Sequence, residues 1–256
     1  MKRKIISYNV NGIRAAGRKG LLDWIAEVDP DVVCFQELKA REVDLDEDLA
    51  KPEGYHAYLH SAEKKGYSGV GIWSKEEPKH VEVGCGIEKY DREGRVIRAD
   101  FEEYSVISVY MPSGTTGGPR QDFKEEFMAD FYTYIKELKE KFPRLIVSGD
   151  YNICHKEIDI HNPVANKNSS GFLPHERQWV TDFIEMGFVD SFRLFNPGPD
   201  LYSWWSFRAQ SRARNKGWRI DYHMVTEALR ENCRSHIIHK DAVHSDHAAL
   251  ELVLEF

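Results

Sequence analysis

Short apolar runs that stop at an acid, an amide or a phenol recur along the whole length of this chain. KIISYNV (4–10) runs into Asn9 and Asn11, DVVCFQE (31–37) into Gln36 and Glu37, and LIVSGDYN (145–152) into Asp150 and Asn152. The run 104–111 reaches Tyr110 just before Pro112, Asp221 lies in IDYHMVT, and Asp246-His247 precede ALELVLEF. Runs this short and this continuously apolar read as strands buried on both faces. A chain built from them needs other layers packed against its sheets, which points to a layered α/β sandwich.

The segments between the strands support that class. Leu21, Leu22, Ile25 and Val28 share one face of a helix expected over 20–28, which Asp29-Pro30 stops, giving a strand–helix–strand unit at the start. Further strands are expected at 55–61, 70–74, 96–101 and 104–111, some separated by turn signals such as KKGYSG. Phe127, Phe131, Tyr134, Ile135 and Leu138 mark a helix over 123–142 that Pro143 ends. A polar, Asn-rich loop over 155–173 precedes a helix near 176–186, and the last quarter alternates aromatic-rich loops with strands. With no internal repeat and no Pro/Ser-rich linker, residues 1–256 read as one domain. It holds more strand than a simple doubly wound fold needs.

Composition narrows the class of function. The formal charge of −7, from 42 acidic against 35 basic residues, argues against a protein that coats nucleic acid by charge alone. It leaves room for a local basic surface beside carboxylates that hold a metal. No stretch is apolar enough to span a bilayer, and the apolar opening breaks at Asn9 and Asn11, far short of the hydrophobic core of a secretion signal. Cys34, Cys85, Cys154 and Cys233 are widely spaced with no C-x-x-C pair, so free thiols and a cytoplasmic location are expected.

Any one polar residue at a strand end reads first as a turn residue. Together they form an inventory of one Glu, three Asp, two or three Asn, a Tyr and a His, all where strands stop. Residues two apart on a strand face the same side, so Asp150 can converge with Asn152, and Asn9 with Asn11. Such a set suits a hard divalent cation and a phosphate, because Mg²⁺ takes oxygen ligands and uses one or two carboxylates beside substrate phosphate. A serine hydrolase lacks its G-x-S-x-G elbow here. A zinc site lacks both H-E-x-x-H and paired cysteines, despite eleven histidines.

SYNVNGIRAA, CFQELK, EKKGYSGVGIW, VYMPSG, SGDYNICHKEIDIHNP, GFLPHERQW, GWRIDY and HSDHAAL follow one another over nearly the whole chain. In that order they resemble the motifs of the exonuclease III class of abasic-site DNA endonucleases, within the endonuclease/exonuclease/phosphatase superfamily. The resemblance implies a four-layered α/β sandwich, two mixed sheets packed face to face and flanked by helices. It implies Mg²⁺, or Mn²⁺ in its place, held by Glu37 with Asp246 and Asn9 as direct or water-mediated contributors. It makes Asp150 the base for the attacking water, Asn152 an orienting group for that water or a phosphate oxygen, and Asp221 the partner that fixes His247 against the phosphate. Tyr110 would donate to the phosphate or the leaving oxygen. Asn11 stands where some members carry Asp, and Ser113 where others carry Asn. The loop 113–120 differs from theirs, so neither a second strong metal ligand nor their DNA-inserting contacts carry over.

The segment YSWWSFRAQSRARNKGWR (202–219) holds Arg208, Arg212, Arg214, Lys216 and Arg219 with no acid among them, interleaved with Trp204, Trp205, Phe207 and Trp218. Basic residues mixed with aromatics in an acidic protein are the footprint of a local nucleic-acid surface, although Trp205 alone reads as core. By the resemblance, Trp204 and Trp218 would line a pocket for a flipped-out abasic sugar and Arg208 would enter the duplex. Arg212, Arg214 and Lys216 would track phosphate, while Lys64 and Lys65 read equally as backbone contacts or a plain turn. The expected protein is a monomeric, Mg²⁺-dependent repair nuclease on double-stranded DNA. It would cut 5′ to abasic sites and process blocked 3′ ends, in an unstated balance of endonuclease, 3′-phosphatase and 3′→5′ exonuclease. Two other readings stand beside it: a phosphoesterase of the same fold on a soluble or lipid substrate, and a non-catalytic DNA-binding scaffold.

Overall fold

The computed structural model describes residues 1–256. Its strands are β1 (Lys2–Asn9), β2 (Val32–Gln36), β3 (His56–His60), β4 (Val70–Ser74), β5 (His80–Val83), β6 (Val96–Asp100), β7 (Ser105–Tyr110), β8 (Leu145–Asp150), β9 (Phe188–Asp190), β10 (Asp221–Thr226), β11 (Cys233–His239) and β12 (Ala249–Glu255). They form two six-stranded sheets, ordered β11-β12-β1-β2-β4-β3 and β5-β6-β7-β8-β10-β9. Both are mixed. β1 and β2 run parallel in the first, β7 and β8 in the second, and the other neighbours are antiparallel.

Alternation along the strands explains the layering. Ile5, Val32, Val106, Ile146, Val225 and Leu252 meet between the sheets. Their neighbours in sequence point the other way. Ile6, Tyr8, Val33 and Phe35 pack under Ile13, Ala16, Leu21 and Ile25 of the first two helices. Ile107, Val109, Val147 and Met224 pack under Phe127, Phe131, Ile135, Trp179 and Phe183 of the helices Pro119–Lys141 and Pro174–Glu185. Helix, sheet, sheet and helix therefore stack with three apolar seams. Each fully buried Val, Leu, Ile or Phe contributes roughly 1.5–3 kcal/mol.

Most expected elements are present, with shifted ends. The helix expected over 123–142 begins at Pro119, directly after Gly118. The strand expected to reach Asn152 stops at Asp150, and the one expected to include Glu37 stops at Gln36. Asn152 (φ 53°) and Glu37 (φ 52°) adopt the left-handed conformation, sparsely populated by residues other than glycine. Asn152 thus meets Asp150 through a turn rather than along a strand. Strands β5, β9 and β11 are absent from the sequence reading. β5 is a mostly exposed four-residue edge, β9 has three residues, and β11 is an edge strand with an irregular register. None has the continuous apolar run that marks a buried strand.

Because β1, β2, β7 and β8 run the same way within their pairs, their carboxyl ends gather two by two. Asn9 is in register with Gln36, and Tyr110 with Asp150. β10 arrives antiparallel, which sets its first residue, Asp221, directly opposite Asp150. The pairing of Ser7 with Leu250 carries the turn before β12 up beside Asn9 and Asn11.

Candidate active site

Six side chains from both sheets converge at this edge. The Asn9 amide Nδ2 donates to Glu37 Oε1 and to Asp150 Oδ2, both at 2.9 Å. Asp150 is 1 % exposed, and its Oδ1 accepts from the Asn152 backbone N–H at 2.8 Å. The Asn152 NH₂ donates to Met111 O at 2.9 Å and leans on Asp150 Oδ2 at 3.4 Å. His247 Nδ1–H donates to Asp221 at 2.9 Å, and Ser203 Oγ donates to the same Asp221 oxygen at 2.6 Å. These bonds fix the imidazole orientation and leave Nε2 3.9 Å from Asp150 Oδ2.

Electrostatics follow from this crowding. Burial pushes the Asp150 carboxyl up to about 8; Asp221 and Glu37 push the same way, and only His247 opposes them among the nearby charges. Burial works against the charged imidazole of His247, but Asp221 outweighs it and, with Asp150 and Asp246, raises the group to about 10. These carboxylates favour the protonated imidazole, whose Nε2 faces Asp150. The Tyr110 phenol is raised well above its ordinary value by burial and by Glu37 and Asp150, so it stays a donor. Asp246 is held low: burial opposes its charge, but His247 and the bonds from Trp204 and Asn11 prevail.

The donor set fits a hard divalent cation. Ligand atoms of Glu37, Asp150 and His247 lie within 4.8 Å of one another, and carboxylate oxygens suit such a cation. Lys39 Nζ already sits 2.8 Å from Glu37 Oε2 and donates to Asn11 Oδ1, which shows how strongly this corner calls for positive charge. The other two expected contributors, Asn9 and Asp246, are both engaged in hydrogen bonds. Asn9 Oδ1 accepts the Asn11 N–H at 3.0 Å and its NH₂ bridges two carboxylates, so it spaces Glu37 from Asp150 instead of offering an oxygen. Asp246 accepts from Asn11 at 2.9 Å and Ser245 at 3.2 Å on one oxygen, and from Trp204 Nε1 at 3.0 Å on the other.

A cavity of about 730 Å³ opens over these groups, with Glu37, Tyr110, Asp150, Asn152, Asp246 and His247 on its floor. Trp204 and Trp218 stand edge to face at 6.1 Å in its wall, and Ser113, Gly114, Asn168 and Ser170 close the far side. Arg208, Arg214, Lys216 and Lys64 are exposed. Two other basic residues of the segment are not surface charges. Arg219 is 1 % exposed and bonded to Asp159 and Asp190. Arg212 donates to four backbone carbonyls, so the expected phosphate contact does not fit its placement. Trp205 is core, as its sequence suggested.

Several supporting residues escaped the sequence reading. Ser203 orients Asp221. Arg95 lies over the Tyr110 ring at 5.0 Å and donates to Tyr110 O at 2.8 Å. Lys124 donates to Asn152 O at 3.0 Å and to Glu176 at 2.6 Å. Lys124 carried a signal, since it continues the buried stripe of Phe127, Met128, Phe131, Ile135 and Leu138, and a lysine on a core-facing stripe needs a partner. Ser203 and Arg95 carried none.

Residues 6–247 match the Endonuclease/Exonuclease/phosphatase family. The chain is 46 % identical over 253 residues to an exodeoxyribonuclease of Bacillus subtilis (strain 168), covering 98 % of this chain and 99 % of that one. A 3′-5′ exonuclease from Neisseria meningitidis superposes with a TM-score of 0.92 at 26 % identity, over 99 % of this chain and 100 % of that one. An AP endonuclease from Archaeoglobus fulgidus gives 0.90 at 30 % identity, over 99 % and 100 %. The chain belongs to the endonuclease/exonuclease/phosphatase family and, within it, to the exonuclease III class of phosphodiester-cleaving enzymes.

Proposed function

We propose that this protein is a divalent-metal-dependent DNA repair nuclease that hydrolyses the phosphodiester 5′ to an abasic site in duplex DNA, leaving a 3′-hydroxyl. The observation that carries the reading is the buried Asp221–His247 pair set 3.9 Å from Asp150, beside Glu37 and beneath a cavity walled by two tryptophans. Asp150 accepts the proton of the attacking water: burial and the neighbouring carboxylates raise its proton affinity, and the positive charge of His247 favours the carboxylate form that a base needs. Asn152 orients that water. His247 Nε2–H and the Tyr110 phenol donate to the phosphoryl oxygens as their charge grows. Glu37, with Asp246 as a further contributor, would hold a cation such as Mg²⁺ or Mn²⁺, which would supply positive charge for the developing phosphoryl charge. Trp204 and Trp218 offer apolar faces to a sugar that has no base to unstack, which makes its extrusion cheap. Exposed Arg208, Arg214, Lys216 and Lys64 meet the backbone.

A second reading, 3′-end trimming with little abasic incision, is supported by the likeness to the Neisseria exonuclease. The deciding experiment offers three duplexes: one with an abasic analogue, one with a 3′-phosphate, one with a recessed 3′ end, each with Mg²⁺ and with EDTA. Metal-dependent incision at the abasic site is the expected result. Silence there with rapid 3′ processing establishes the second reading, and silence on all three refutes both. The proposal extends to a monomer working at the nucleoid in the cytoplasm; the four free cysteines bear only on the reducing compartment.

A further inference from the structure

The turn 240–247 that presents Asp246 and His247 has little backbone pairing of its own, and a single side chain from the DNA-facing segment gathers its carbonyls. Arg212 Nη2 donates to Lys240 O and Ala242 O at 2.8 Å. Its Nη1 donates to Ser245 O at 2.9 Å and reaches His247 O at 3.5 Å. The guanidinium lies 4.8 Å over the buried Trp205 ring, and the backbone N–H of Trp205 donates to Asp246 O at 3.1 Å. Tyr8 and Lys19 add one carbonyl contact each. A planar fork with five donors satisfies several fanned carbonyls at once, which a lysine ammonium cannot do with the same geometry.

We propose that Arg212 is a positioning residue for the Asp246–His247 turn and not a phosphate contact, so that the segment gripping DNA also sets the geometry of the metal and phosphate groups. The carboxylate of Asp246 is bonded on both oxygens, by Asn11, Ser245 and Trp204. A small shift of its backbone therefore breaks contacts on two sides. Groups that hold a ligand residue in place are worth about 10- to 100-fold in metal affinity. The inference rests on the proposed phosphodiesterase reading only for its link to turnover.

The test compares Arg212→Gln, Arg212→Lys and the exposed Lys216→Gln. Mn²⁺ binding to the DNA-free protein is measured by electron paramagnetic resonance, and duplex binding in EDTA is followed across a salt series. For Arg212→Gln, Mn²⁺ affinity should fall about 10- to 100-fold with the salt slope of DNA binding unchanged, and kcat should fall with KM for DNA steady. Lys216→Gln should show the reverse, a slope shallower by about 0.9 with Mn²⁺ affinity intact. Arg212→Lys should lie between wild type and Arg212→Gln in Mn²⁺ affinity, and it carries the test if Arg212→Gln does not fold. A folded Arg212 variant with wild-type Mn²⁺ affinity overturns the proposal, as does a slope shallower by about 0.9. If wild type binds no duplex, the proposed function fails while the Mn²⁺ arm still decides the role of Arg212.

Discussion

Replacing Lys124 by Met tests whether the rim of the site is held by a buried charge pair. Lys124 and Glu176 are both fully inaccessible, 2.6 Å apart. Burial pushes the lysine down from its ordinary value, and Glu176 opposes that shift. Met fills much of the same volume, so little of the effect comes from a cavity. What remains is a buried carboxylate without its cation, which costs about 3–5 kcal/mol. Two backbone donors, Gly171 N at 2.6 Å and Leu173 N at 3.0 Å, still bond the carboxylate and favour the low end of that range. At about 2–4 °C per kcal/mol for a chain of this size, a loss of about 3 kcal/mol should lower the melting midpoint by roughly 6–12 °C. Replacing both partners, Lys124→Met with Glu176→Leu, should recover part of that loss, because an apolar pair of similar volume is often neutral there. Full recovery is not expected, since Gly171 and Leu173 lose their acceptor. Urea denaturation of the two single variants and the double closes the cycle. A single-variant loss below about 1 kcal/mol, in the range of an exposed pair, would refute the assignment of a strongly coupled buried pair.

Other expectations rest on separate features. Asp150→Asn should lower metal-dependent cleavage by about 10²–10⁴ while leaving duplex binding in EDTA intact; unchanged cleavage in single-turnover assays would end its role as base. Gly149 has φ 153°, and a Cβ there would lie 1.9 Å from Val109 O across the β7–β8 ladder. Gly149→Ala should cost about 3 kcal/mol or more, whereas Gly198→Ala, with open space around it, should stay within about 0.5 kcal/mol; urea midpoints separate the two. Burial pulls His223 down to about 4, below the unfolded value of about 6.5. The unfolded chain then binds a proton that the folded one refuses, so stability is level above pH ~6.5, falls as pH drops toward ~4, and levels again, a loss of roughly 3 kcal/mol. His223→Gln should flatten that fall in denaturant midpoints taken from pH 7 to 4, and an unchanged profile would mean that His223 is not buried neutral.

The layers were legible because continuous apolar runs have one interpretation, a strand covered on both faces. The candidate base was legible for the same reason: in LIVSGD a carboxylate ends such a run. Burial of charge was not legible. Arg212 and Arg219 count as surface charge in a sequence, yet one is wrapped in carbonyls and the other is sunk between Asp159 and Asp190. Their acceptors lie in segments far away along the chain, which no local pattern connects. Nor does a sequence show that Glu37 and Asn152 leave their strands through a left-handed residue. Both side chains line the cavity.

One pattern spans both levels. On the faces turned toward the opposite sheet, β8 reads Ile146, Ser148, Asp150, and β7 reads Val106, Ser108, Tyr110 in register with it. β10, running the other way, sets Val225, His223 and Asp221 against the same three rows. β1 repeats the order with Ile5, Ser7 and Asn9. Each strand thus passes from an aliphatic row, through a row of hydroxyls and an imidazole, to the ionic row of the site. The middle row is fully hydrogen-bonded where it meets its neighbours: Ser148 to His223 at 2.6 Å, Ser108 to Phe35 O at 2.8 Å and to Gln36 at 3.0 Å. Polar atoms buried without partners would cost about 1–3 kcal/mol each, so this row lets carboxylates sit at the end of an apolar core without prising the sheets apart. The site accordingly starts from the polar end of the inter-sheet core, to which adjoining turns add Glu37, Asn152, Asp246 and His247. That is why its central residues stand out at strand ends in the sequence while the groups that aim them, drawn from loops and helices, do not.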